Sequence, residues 1–198
     1  MDRTKTRRFA IPPAGAAALG TVLLFGGGGW VLIDRVQHRS LRELLVGDGP
    51  LVFQCLLGLG AGLVIAAVAS WLIDRPFMAP VKDRYVRLLG PMVSRDIRIL
   101  LVAVCAGLGE EILFRGAVQH WLGIPLTAIV FVALHGYLDP RDARIGVYGI
   151  VLTLGMLLLG WMAATWGLAG PVVAHTTIDV VLLRKLAHAF DATDQSVG

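Results

Sequence analysis

The sequence predicts an all-α fold: a polytopic membrane bundle of about six transmembrane helices, forming a single integral membrane domain over 1–198. Three observations carry that prediction. Of the 198 residues, 56% are hydrophobic and 16% charged, and the mean hydropathy is +0.72. A soluble domain carries about 25% charge, and one water-soluble core of this length does not bury so much apolar surface behind so few polar groups. Six stretches are long or apolar enough to cross a hydrocarbon layer of ~30 Å at ~1.5 Å per residue. Lys and Arg are also distributed unevenly among the intervening loops. The same composition excludes a disordered chain, a nucleic-acid-binding arm and a disulfide scaffold. The net charge is only +4, and Cys55 and Cys105 lie in separate apolar runs without metal-ligand spacing.

The first span is Pro13–Ile33, behind a basic stretch with Arg3, Lys5, Arg7 and Arg8. It exceeds the apolar region of a secretory signal, and its small residues (Ala14, Ala16–Ala18) stand at the wrong end for cleavage, so it reads as an uncleaved signal anchor. The second span is Leu51–Ile73, after the turn Gly47-Asp48-Gly49-Pro50. Across Pro76–Met92, Phe77, Val81, Tyr85, Leu88 and Met92 recur at helical spacing with Lys82, Arg84 and Arg87 between them. That pattern predicts an amphipathic helix on the cytoplasmic surface. The remaining spans are about Ile99–Val118, about Leu122–Leu138, Ile145–Trp166 and about Leu168–Leu183, followed by a frayed tail from about Ala187. With the N-terminus in the cytoplasm, inside segments hold thirteen Lys and Arg and outside loops three, Arg98 and Arg115 lying at a boundary and inside a span. Both termini are therefore expected in the cytoplasm.

Three of the spans carry polar residues that a bilayer does not tolerate without reason. A charged side chain at a helix centre costs about 2.5–3.5 kcal/mol on the insertion scale, and the third span has Glu110, Glu111 and Arg115. Glu111 and Arg115 are four apart and share a helix face, so they can pair. Glu110 is rotated from Glu111 by ~100°, which leaves one carboxylate free. A buried ion network that only fixed packing would not need it. The fourth span places Phe131 and His135 on one face, and the sixth places His175 and Asp179 four apart. There a carboxylate can hold one ring nitrogen and set the tautomer of the other. A proton relay, a metal-ligand pair and a structural pair are equally open for this last pair taken alone. All these groups fall near mid-depth, so the bundle is expected to enclose one hydrated polar pocket.

Glu110-Glu111-x-x-x-Arg115, Phe131-x-x-x-His135 and His175-x-x-x-Asp179 resemble, in that order, the three motifs of the CPBP family. This family comprises CAAX proteases and bacteriocin-processing proteins, is also called Abi, and consists of intramembrane endopeptidases related to the type II CAAX prenyl endopeptidase. The resemblance covers about Ile99–Leu183. It implies that Glu110 is the general base for the attacking water, with Glu111 and Arg115 its supporting pair. It also implies that His135 helps to hold that water and that His175 and Asp179 stabilise the oxyanion. Asp179 stands where the family often has Asn. An ionised carboxylate would repel an oxyanion, so Asp179 serves either protonated or by orienting His175; the second is expected here. Phe131 is expected to pack in support of His135.

The chemistry implied is hydrolysis of a peptide bond in a membrane-embedded or lipid-modified substrate, which needs an activated water, a stabilised oxyanion and a proton for the leaving amine. No cofactor is expected. The zinc alternative would use Glu110, His135 and His175 as a two-histidine, one-glutamate set with an open fourth position, although no HExxH is present. Two other function classes compete: a proton-coupled transporter or channel using the same acid–imidazole chain, and a non-catalytic CPBP-like immunity or scaffold protein. The expected partners are a peptide or protein substrate within the membrane and the lipid bilayer, not nucleic acid. The expected location is a bacterial cytoplasmic membrane, with leader peptides, bacteriocin-like precursors and membrane sorting tails as substrate classes. The sequence does not set an oligomeric state.

Overall fold

The computed structural model describes residues 14–93 and 96–195. The basic stretch Arg3–Arg8 and Arg95 lie outside the described residues. Among the described residues all regular structure is helical, as a bilayer requires of a chain that must satisfy its own backbone hydrogen bonds. Helix α1 (Ala14–Val36) contains two π-helical turns, Val22–Gly26 and Leu32–Val36. Helix α2 (Leu41–Val46) is short and was not among the expected elements; it starts where Ser40 Oγ accepts a hydrogen bond from the Glu43 N–H at 3.3 Å. Helix α3 is Leu51–Ile73, and α4 (Ala79–Leu89) follows a 3₁₀ turn, Pro76–Met78. Helix α5 (Asp96–Glu111) runs through a π-helical stretch, Ile112–Val118, into α6 (Gln119–Leu134). Helices α7 (Ala143–Trp166) and α8 (Ala169–Gln195) complete the bundle.

Helices α1, α3 and α7 are long and apolar enough to cross a membrane on length and composition alone. The other three expected spans are those that carry the polar motifs. The third and fourth form a hairpin. Gly123 (φ 68°, ψ 174°) interrupts α6, and Pro125 opens the returning leg, where its missing N–H costs little. Reversal is evident because the side chains of Glu110 and His135 meet at 3.4 Å, whereas a straight helix would separate residues 25 apart by roughly 37 Å. The expected frayed tail from Ala187 is corrected: α8 continues to Gln195. Ala187 is buried against Val93 and Ile99, and Phe190 lies against Gly90, so apolar contact holds the last turns in helical form.

Small residues set the bundle's spacing. A Cβ on Gly58 of α3 would collide with the carbonyl oxygen of Gly170, and one on Gly62 would lie 2.6 Å from the Ala174 oxygen and 2.8 Å from Thr177 Cβ. Helix α8 thus approaches α3 backbone to backbone. On its other side Gly107 of α5 meets Thr176 and Val172, while Gly109 meets Thr21 and Val22 of α1. Between lipid-facing helices there is no hydrophobic drive to associate, so close backbone packing of this kind supplies the contact. Leu24, Val52, Leu56, Ile150 and Leu154 are exposed on the outside, a surface suited to hydrocarbon. The inner apolar cluster joins Ile65, Ala69, Phe131, Leu152, Met156, Leu159 and Ala174. The amphipathic helix is α4: Val81 and Val86 are buried while Lys82, Arg84 and Arg87 are not.

At the end where α3 stops, Asp74 ties three elements. Its carboxylate accepts from Lys82 Nζ of α4 at 2.7 Å and from Lys185 Nζ of α8 at 2.5 Å. Hydrogen bonds from Lys185 and then Lys82 hold the Asp74 carboxyl below its ordinary range. A depressed carboxyl contributes stability above its unfolded pKa, near ~3.9, and loses it as pH falls through the folded value. In Asp74→Asn the melting temperature should fall at neutral pH, by an amount equivalent to less than about 1 kcal/mol because the pair is part-exposed. The gap from the parent should close below about pH 4. Gly58→Ala should destabilise by about 1–3 kcal/mol through overpacking. By contrast, Gly60→Ala, whose Cβ meets nothing within 4 Å, should be neutral or stabilising by up to ~1 kcal/mol. Thermal melting in detergent separates the two.

Candidate active site

Helix α5 delivers two adjacent acids to different partners. Glu111 is fully buried, and its Oε1 lies 3.0 Å from Arg115 Nη1 and 2.8 Å from His175 Nδ1. The i,i+4 pairing expected within the helix is present, and the same oxygen accepts from an imidazole on α8. Arg115, 4% exposed, has a second anchorage that the sequence did not reveal. Its Nη2 lies 2.9 Å from Met156 Sδ of α7, and its Cζ sits 4.5 Å from the centre of the Phe131 ring. The cation is thus held by a carboxylate, a soft sulfur and an aromatic face, as a charge withdrawn from water must be.

Glu110, 8% exposed, turns toward α6 and α8. Its Oε2 lies 3.4 Å from His135 Nε2 and 3.8 Å from His175 Nε2. This oxygen is buried and has no protein hydrogen-bond partner among the described residues. Each imidazole is oriented from its other nitrogen. His135 Nδ1 donates to the Phe131 carbonyl oxygen at 2.8 Å, and His175 Nδ1 donates to Glu111. Both Nε2 atoms therefore face Glu110, with the Nδ1–H of each ring committed to its partner. Asp179 Oδ2 lies 3.8 Å from His175 Nε2, outside hydrogen-bond range. The His175 ring makes its hydrogen bond to Glu111, and Asp179 faces Nε2 at 3.8 Å.

Phe131 supports more than His135. Its ring meets His135 at 4.4 Å, His175 at 5.6 Å and Phe114 at 4.9 Å between centroids, so it sits at the hub of the site. A cavity of about 350 Å³ is lined on one wall by Glu110, His135, His175 and Asp179 and elsewhere by side chains such as Leu152, Met156, Ile178 and Leu182. All six expected site residues thus converge, with Glu111 and Arg115 behind the wall. Among the described residues no group of three or more His, Cys, Asp or Glu side chains is arranged to hold a metal ion. Tyr137 also lines the cavity and was missed in the sequence. The signal was the His135-Gly136 pair, which marks a helix C-terminus that bends the next residue back.

An all-helical, lipid-facing bundle with an acid–imidazole cluster on the wall of an internal cavity defines an integral membrane protein with an enzyme-like site. Residues 95–181 match the family model described as type II CAAX prenyl endopeptidase Rce1-like, in agreement with the CPBP resemblance of the three motifs. The chain is also 34% identical over 89 residues to the uncharacterized protein YpbD of Bacillus subtilis (strain 168), covering 44% of this chain and 45% of that one. It therefore spans less than half the length of the curated relative it matches. No solved structure matches.

Glu110 and the Glu111–Arg115 pair should respond differently to substitution. Arg115→Leu leaves the buried Glu111 without its guanidinium, with only the His175 contact remaining, and should cost about 3–5 kcal/mol. Glu110→Gln keeps the shape of the side chain and gives up only the 3.4 and 3.8 Å contacts to the two imidazoles, so it should lower the melting temperature less. Melting curves of the two variants in detergent check this directly.

Proposed function

We propose that the protein is an intramembrane endopeptidase that hydrolyses a peptide bond of a membrane-embedded or lipid-modified substrate through a water activated by Glu110. The observation that carries the reading is the Glu110 Oε2 atom, buried, unpartnered and flanked by two imidazole Nε2 atoms at the cavity wall. The Rce1-like match over residues 95–181 supports the same reaction class.

Glu110 takes a proton from a water held between its carboxylate and His135 Nε2 as that water attacks the substrate carbonyl. Charge develops on the carbonyl oxygen. His175 acts as an imidazolium: Glu111 holds its Nδ1–H, and its Nε2–H donates to that oxygen. With that ring oriented by Glu111, Asp179 takes its other role, a neutral carboxyl donating to the oxyanion beside His175. The tetrahedral adduct collapses, the C–N bond breaks, and the proton held by Glu110 passes to the leaving amine. Apolar walls exclude bulk water and raise the strength of each of these contacts. The orientation proposed is that of the charge bias, with both termini and α4 on the cytoplasmic side. A bacterial cytoplasmic membrane is the proposed location, and leader or sorting-tail peptides are the substrates of first choice.

In liposomes containing a transmembrane or lipid-modified peptide, Glu110→Gln should lower cleavage by about 10²–10⁴-fold, and metal-stripped protein should cleave at the parent rate in chelator. Undiminished cleavage by the Gln variant would remove Glu110 from the mechanism. Activity restored stoichiometrically by zinc would replace the metal-free route.

A further inference from the structure

Tyr137 stands where the chain leaves α6. His135 is the C-cap of that helix (φ −78°, ψ −2°), and Gly136 adopts φ 77°, a left-handed conformation natural to glycine. The Gly136 N–H donates to the Ala133 oxygen at 2.9 Å and the Tyr137 N–H to the Val132 oxygen at 3.2 Å. This crossed pair is a Schellman motif, and it folds residue 137 back beside residue 135. The rings of Tyr137 and His135 are parallel, 2° apart in plane and 6.3 Å between centroids. Tyr137 is itself fixed by Tyr85 of α4 at 5.6 Å and Tyr148 of α7 at 5.5 Å. Its carbonyl rests on Gly149, where any Cβ would strike it.

The His135 side chain is 35% exposed and sits at a helix end. Its ring has one hydrogen bond, from Nδ1 to the Phe131 carbonyl, which does not by itself fix the plane of the ring, and the Phe131 ring that packs on it at 4.4 Å is tilted by 31° and not parallel to it. The geometry points to Tyr137 as a positioning residue. Its ring, wedged between Tyr85 and Tyr148, holds the plane of the His135 imidazole so that Nε2 stays directed at Glu110. This inference deepens the peptidase reading and, for its kinetic part, rests on it. Tyr137 acts through its flat face, not its hydroxyl, so phenylalanine should replace it.

The test uses full-length protein in detergent or liposomes, with histidine nitrogen-labelled for NMR. The His135 signals are identified by their loss in His135→Asn. In Tyr137→Leu they should shift or broaden, kcat should fall by about 10–100-fold and KM should stay constant, because displacement of a reacting group acts on the chemical step. Tyr137→Met, equally apolar but not flat, should repeat the effect if the Leu variant fails to fold. Tyr137→Phe should retain the parent signals and rate. Unchanged His135 signals in a folded Leu or Met variant would overturn the inference, whatever the activity. Full activity in Glu110→Gln would instead sink the peptidase mechanism, and the His135 signals would still decide the role of Tyr137.

Discussion

The structure turns on one carboxylate oxygen. Glu111 Oε1 is ion-paired with a guanidinium on its own helix and accepts a hydrogen bond from an imidazole on α8. A charge withdrawn from water needs partners at hydrogen-bond distance, and Arg115 and His175 are those partners. Because His175 is on another helix, the bond also fixes how α8 lies against α5. The glycines make this reach feasible: Gly107 lets α8 approach α5, and Gly58 and Gly62 let it approach α3. With residue 111 committed to α8 and Arg115, the ~100° step along the helix leaves residue 110 facing the cavity.

Adjacent acids thus acquire different characters from surroundings alone. Glu111 has a structural bond on one oxygen and is sealed from the cavity. Glu110 has an oxygen aimed at two imidazoles and no committed partner. The same separation runs through the histidines, each tied by Nδ1 to the scaffold and presenting Nε2 to the cavity. Scaffold and chemistry are wired to opposite edges of the same rings.

Much of this was legible in the sequence. Leu51–Ile73 has the bounds read from composition, because Pro50 and Asp74 cannot continue an apolar helix in either direction. The convergence of Glu110, His135 and His175 was legible because each was too costly in lipid to stand apart. What sequence spacing could not give was the choice between partners. Asp179 is one turn from His175, yet the bond goes to Glu111, 64 residues away, because tertiary packing decided which acid came within reach. Met156 under Arg115 looked like any apolar residue of α7. The helical end of α8 was hidden because its support, Val93 and Ile99, lies in distant segments.

The hairpin between α5 and α6 has a further consequence. Glu110 lies thirteen residues before Gly123 and His135 twelve after it, so the two legs are matched rulers laid side by side. Deleting one residue from either leg would slide its end by ~1.5 Å and turn it by ~100°, carrying an acid or an imidazole off the common wall. This stretch is therefore held to a fixed count. Length drift in such chains should accumulate outside the hairpin, with the interval from residue 110 to residue 135 inherited as a unit.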